Sequence, residues 1–157
     1  MRRNLIIVII VAMLACAYLI AWRSIARETI SDEASIGNLI ALGERAVEQR
    51  DLGDTMACVS RDYEDGNGLT YPALRARSAQ ALQSVHDVEI KGKVFGLTVN
   101  GDKAIVVYGV DVVLDGEKAF HGSLDLIMKK EPTWRHWIFR VKEWKIVAVE
   151  GYPSAFE

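Results

Sequence analysis

At His86 the spacing of the apolar residues changes, from helical intervals upstream to strict alternation downstream, and the alternation lasts to the end of the chain. A chain divided this way cannot build strand-helix-strand units. It is expected to lay its helices on an antiparallel sheet, an α+β arrangement. Within the alternating half, Asn100-Gly101 and Asp115-Gly116 are the dipeptides that suit primed two-residue hairpin turns. They divide it into four strands, roughly Asp87 to Val99, Lys103 to Leu114, Lys118 to Lys130 and Trp134 to Glu150. Consecutive strands then pair as a meander.

One face of this sheet must be covered, because Ala104, Val106, Tyr108, Val110, Val112 and Leu114 form an unbroken apolar row in the second strand. Phe120, Leu124, Leu126 and Met128 do the same in the third. In the last strand Trp137, Phe139 and Val141 alternate on odd positions and Trp144, Ile146 and Ala148 on even ones. The inward face therefore switches, and a β-bulge is expected near Lys142-Glu143. Gly92 and Gly96 are expected to bend the first strand in the same way.

Three helices are available for cover. From Glu33 to Arg50 an apolar stripe runs through Ile36, Leu39, Ile40 and Val47 with Gly43 completing it, while Glu44, Arg45, Glu48 and Arg50 are read as facing elsewhere. Asp51-Leu52-Gly53-Asp54 reads as a tight turn with Asp54 capping a short second helix that turns Met56 and Val59 inward. Asp65-Gly66-Asn67-Gly68 is a further turn, and Thr70 with Pro72 behind it opens a third helix to about Ser84. That helix is expected to bury Leu74, Ala81, Leu82 and Val85. The expected domain is a three-helix layer on a curved four-stranded antiparallel sheet.

Ahead of it, Leu5 to Trp22 carry no charge, and Arg2 and Arg3 stand immediately before them. As a helix, these 18 residues would extend about 27 Å, near the roughly 30 Å of a bilayer core. The run is longer than the roughly 7–15 residues of a cleaved signal, and Trp22 suits a membrane interface. The expectation is a short cytoplasmic segment over 1–4, an uncleaved anchor over 5–22, a linker over 23–32 and a soluble domain over 33–157. Cleavage after Ala15 or Ala17 and lipidation of Cys16 stand as alternatives. The positive charge at the amino terminus is expected to stay in the cytoplasm and to leave the domain outside it, in the periplasm.

Residues 33 to 157 carry 15 Lys and Arg against 19 Asp and Glu, a balance with no attraction for nucleic acid. Cys16 and Cys58 are the only cysteines, one in the apolar run and one in a helix, so no bridge is expected between them. His86, His121 and His136 are too scattered for a metal motif, and no cofactor motif is present. Asp62, Glu64 and Asp65 do not follow calcium-loop spacing and read as a solvated turn.

The order of elements, with Ser60-Arg61-Asp62-Tyr63-Glu64-Asp65 before the glycine turn and Trp144-Lys145-Ile146-Val147-Ala148-Val149-Glu150-Gly151 at the close, resembles the nuclear transport factor 2-like superfamily, a cystatin-like α+β cone. The resemblance covers residues 33 to 152 and suggests the membrane-anchored bacterial type. It implies a hollow between helices and sheet, in which the superfamily's enzymes place a carboxylate or a histidine-aspartate pair. Here the faces read as interior contribute aliphatic and aromatic side chains and one phenol, Tyr108, while Asp111, His121 and Asp125 have the opposite parity. The first helix also lacks the tyrosine that the isomerases use. His121, Ser123 and Asp125 are spaced roughly 6.7 Å apart along a strand, too far for a catalytic triad.

The expected function is therefore non-catalytic: a membrane-tethered binding domain for a partner protein, a second copy of itself through the outer sheet face, or a small apolar ligand. An isomerase-, cyclase- or dehydratase-like enzyme for a hydrophobic substrate is the alternative, and a scaffold subunit of a membrane or secretion complex is another. Tyr63, Tyr108, Trp137 and Trp144 are the candidate pocket walls. Trp134, Arg135 and Arg140 are the candidates for docking a partner, since Trp134 follows Glu131-Pro132 in a segment with no evident core to enter.

Overall fold

The computed structural model describes residues 31–135 and 139–151. The expected membrane anchor over 5–22 lies outside them. Among the described residues no helix is long and apolar enough to cross a membrane.

Helix α1 spans Asp32–Glu48, α2 Leu52–Ala57 and α3 Tyr71–Ser84, followed by strands β1 (Val88–Asn100), β2 (Lys103–Leu114), β3 (Glu117–Arg135) and β4 (Phe139–Glu150). The strands form one antiparallel sheet in the order β1-β2-β3-β4, the meander expected from the turn dipeptides. Asp115 and Gly116 both take positive φ, 51° and 83°, as a type I′ turn requires. The other hairpin turns one residue later than expected, on Gly101-Asp102, with Gly101 at φ 60°.

Asp115 has a second task. Its Oδ1 accepts from the backbone N–H of His86 and of Asp87, at 2.9 and 2.8 Å, fastening the end of the helical half to the hairpin. These two donors hold its carboxyl below the usual carboxylate range. A lowered folded pKa means stability that is present above the unfolded value of about 3.9 and lost as the pH falls through the folded value. Asp115→Ala should therefore be less stable than the wild type at pH 7, by chemical denaturation, and the gap should narrow as the pH falls through the folded value to the pH-independent strain of alanine at positive φ.

Irregularities in the pairing bend three of the four strands. In β1 the register slips between Val94 and Gly96, leaving Phe95 as the extra residue, close to where the glycines suggested a bend. In β3 the extra residue is Ala119. In β4 it is Val147, not the expected Lys142-Glu143, which pair in register with Pro132 and Glu131. The bulge at Val147 moves the inward face from Trp144 and Ile146, both even, to odd Val149 opposite Leu126.

The core lies between α1 and the sheet, where Ile36, Val106, Met128 and Trp144 are buried with Leu39 and Ile40 packed beside them. Asp32, the first residue of α1, accepts from Trp144 Nε1 at 3.3 Å and from Lys130 Nζ at 2.8 Å, and Lys130 lies 5.1 Å from the centroid of the Trp144 ring. After α2, residues 58 to 64 run beside the free edge of β4. Ser60 N–H donates to Ile146 O, Ile146 N–H to Cys58 O and Glu64 N–H to Val147 O, at 2.9 to 3.1 Å. An edge that would otherwise expose its backbone groups is thereby paired.

Two local expectations are corrected. The cap of α2 is Asp51, whose Oδ1 accepts from Asp54 N–H at 2.9 Å, so Asp54 sits in the first turn. The left-handed turn residue is Arg50, at φ 55°. Asp65, read as part of a solvated turn, is buried, and its Oδ1 accepts from the N–H groups of Asn67 and Leu69, both at 2.9 Å.

The larger correction concerns the helical layer. α1 packs on the sheet, α2 on α1, and α3 on α2, so the three helices do not lie side by side on the strands. Tyr71 is the one buried residue of α3, in a small cluster with Met56 and Tyr63. Leu82 and Val85 are half-buried and Ala81 is exposed. The side of α3 that faces the strands carries Ser78, Ala81 and Ser84, too small to fill the space between them. A hollow remains there.

Candidate functional site

The hollow is an open cavity of about 1000 Å³, bounded by β2, β3 and β4 on one side, α1 and α2 at the back, and α3 opposite the sheet. That is at the upper end of small-molecule sites, which run roughly 300–1,000 Å³. Its sheet wall is apolar, with Val110, Val112, Phe120, Leu124, Ile146 and Val149 facing in. Its α3 wall is mixed, with Leu74 and Ala81 beside Arg77, Ser78, Gln80 and Ser84.

The polar feature set into the apolar side is a pair that the sequence reading missed. Glu44 of α1 lines the cavity, and its Oε1 accepts a hydrogen bond from Tyr108 Oη of β2. The pair rests against the backbone of β1 at Gly92. A Cβ there would sit 1.8 Å from Tyr108 Oη and 2.2 Å from Glu44 Oε1, so a glycine is what lets both polar tips occupy that place. Burial, then the hydrogen bond to Glu44, and then the charges of Glu44 and Glu48, push the Tyr108 phenol well above its ordinary range. Tyr108 is therefore a neutral donor throughout the physiological range.

The signal for Glu44 was on the page of the sequence: Ile36, Ile40 and Glu44 are spaced four apart, so the carboxylate continues the stripe that enters the core. Glu48, the next residue in that row, turns to β1, where its Oε1 accepts from Ile90 N–H at 3.1 Å.

Other lining groups are committed to the fold. Cys58, at the end of α2, is buried with Sγ 3.6 Å from Asp54 O, and burial raises its thiol pKa, so it is a poor nucleophile. Asp65 holds its own loop, as above. Arg77 is exposed and makes no ion pair with a described residue.

Of the four expected pocket walls, Tyr63 and Tyr108 line the cavity, and Trp144 is buried in the core behind it without reaching the lining. Trp137 lies outside the described residues. Trp134, Arg135 and Arg140 fall where β3 and β4 pair, Trp134 opposite Arg140, and their side chains lie outside what is described. Asp111, His121 and Asp125 sit on the outer face of the sheet, away from the hollow. There Asp111 is hydrogen-bonded to His121 Nδ1, with Lys118 Nζ at 3.2 Å, and these two neighbours hold its carboxyl below the usual range. Among the described residues no group of three or more His, Cys, Asp or Glu is placed to hold a metal ion.

Solved structures similar to this one include cystatin-like and nuclear transport factor 2-like proteins. A cystatin-like protein of unknown function from Nostoc punctiforme superposes with a TM-score of 0.60 at 17% identity, over 77% of this chain and 90% of that one. A nuclear transport factor 2-like protein of unknown function from Shewanella baltica does so with a TM-score of 0.57 at 13% identity, over 80% and 98%. The fold is nuclear transport factor 2-like. Bd1075 of Bdellovibrio bacteriovorus is also similar, with a TM-score of 0.61 at 10% identity over 73% of this chain. The chain spans 38% of the length of Bd1075. The sequence matches no protein-family model and no curated protein.

Proposed function

We propose that this is a membrane-tethered binding domain of the bacterial envelope, held by residues 5–22 with the domain in the periplasm, and that its cavity takes a small, largely apolar ligand. The observation that carries the reading is the cavity itself. About 1000 Å³ of space lies against aliphatic and aromatic side chains that the fold leaves uncovered by α3. Removing such a wall from water is worth about 25 cal/mol per Å², which gives an apolar body a reason to enter. Confinement to a membrane would raise the local concentration of ligands or partners that share it.

Calorimetric titration of the full chain in lipid nanodiscs with 1-adamantanol, a compact apolar alcohol, tests the reading. Saturable binding beyond that of empty nanodiscs is expected, and Leu124→Trp, which fills the cavity, should weaken it at least about tenfold. Binding that is absent, or unmoved by Leu124→Trp, would overturn the proposal.

A second reading, an isomerase-, cyclase- or dehydratase-like enzyme for a hydrophobic substrate, is favoured by Glu44. It is a carboxylate inside the hollow with a neutral phenol at its side, an acid and a base of the kind proton transfer uses. The binding reading leads because the wall around that single carboxylate is aliphatic and aromatic, which suits an apolar body, and the cavity's other acid, Asp65, is taken up by backbone N–H groups.

For a protein partner, we propose a second copy of the chain on the outer sheet face. Phe95 lies there over Gly109 with 65% of its surface exposed, and Ile105 and Val107 are also exposed.

A further inference from the structure

We infer that the ligand of the cavity carries a protonated amine on its apolar body and that Glu44 receives it. The inference rests on the binding reading and names the ligand class for the same site.

Three elements cooperate to put one carboxylate in the apolar side of the hollow. α1 supplies Glu44 from the row that begins with buried Ile36, β2 supplies the Tyr108 hydroxyl that fixes one oxygen, and β1 supplies the gap at Gly92 that admits both. A carboxylate has two oxygens and about four acceptor positions, and the phenol takes one. While the cavity is filled by water, the rest are hydrated. An apolar ligand that enters displaces this water, and acceptors left dry are costly unless the ligand brings a donor of its own.

The charge near the pair selects the kind of donor. Glu48 lies close enough for its charge to act on the Tyr108 phenol, so two carboxylates set the local potential. Tyr108 is neutral and brings no positive charge. Of the remaining charged groups that line the cavity, Asp65 is bound to backbone N–H groups and Arg77 is exposed on α3, across from the sheet. An ammonium is attracted to Glu44 and forms a charge-assisted hydrogen bond, roughly twice as strong as a neutral one. An alcohol donates without that gain. A ligand carboxylate is repelled and brings no donor.

The test compares three ligands that share one body and differ in one group: 1-adamantylamine, 1-adamantanol and 1-adamantanecarboxylate, titrated calorimetrically at pH 7 into the full chain in nanodiscs, against empty nanodiscs. The amine should bind about tenfold tighter than the alcohol and the carboxylate about tenfold weaker. In Glu44→Gln the alcohol should keep its affinity, which shows that the cavity is intact, while the advantage of the amine falls to within about threefold. Arg77→Ala should leave the order unchanged. Equal affinities for the three ligands in the wild type would overturn the inference and leave the binding reading standing. A carboxylate that binds tightest, and loses affinity in Arg77→Ala, would overturn it in favour of an anionic ligand held from α3. Failure of all three to bind would instead remove the binding reading itself. The wild-type comparison decides the matter even where Glu44→Gln does not fold.

Discussion

Trp144→Ala is expected to destabilise the domain by about 3–5 kcal/mol, the range for truncating a fully packed tryptophan. Trp144 is 4% exposed, at the centre of the core shared by α1 and the sheet. Truncation removes more than area. It also takes away the donor to Asp32 Oδ1, which links the start of α1 to the sheet, and the ring beside Lys130 Nζ, a contact between β4 and β3. Chemical denaturation followed by far-ultraviolet circular dichroism measures the loss. Trp144→Phe, which keeps most of the apolar volume and lacks the donor, should lose less than half as much. A loss below about 1 kcal/mol for the alanine variant would place the side chain outside the core.

Tyr108→Phe is expected to lower stability by about 1–3 kcal/mol at pH 7, because Glu44 then keeps its place in an apolar wall without its donor. The effect has a pH signature that simple loss of packing does not. The folded phenol titrates above its ordinary value, so its contribution is complete below the unfolded pKa of about 10 and is lost as the pH rises through the folded one. The gap between wild type and variant should therefore be constant from pH 6 to 9 and close in stronger alkali. In an absorbance titration the wild type should show a tyrosine that ionises above the ordinary phenol range, and that signal should be missing in the variant. A gap that stays open at high pH would mean that the hydroxyl does not donate to Glu44.

How much of this was legible in the sequence differs from one element to another, for physical reasons. Hairpin register is a local property of two residues and the strand twist, which is why Asp115-Gly116 gave the second turn correctly. The β4 bulge is a compromise between two strands, and alternation in one of them located it at Lys142-Glu143 when pairing with β3 puts it at Val147. The third helix was recognisable from Thr70, Pro72 and its period, although the Thr70 side chain makes no capping hydrogen bond, but its distance from the sheet depends on what lies between them. Ser78, Ala81 and Ser84 leave that space open, and counting Leu74, Ala81, Leu82 and Val85 as buried overlooked it. Glu44 was missed because the stripe of α1 was traced through apolar residues alone, although the row from Ile36 and Ile40 leads directly to it. Gly92 carried the matching signal: a missing side chain on the inward parity of β1, in the place that two polar tips fill.

The fastening of Asp32 to Trp144 and Lys130 determines how mechanical load would enter the domain. Tension applied to the chain ahead of Asp32 meets the sheet at β3 and β4 before it can unwind α1 turn by turn. Three side chains must part together under such a pull, and a joint loaded in that manner tends to give way abruptly, with the rest of the helix following only afterwards.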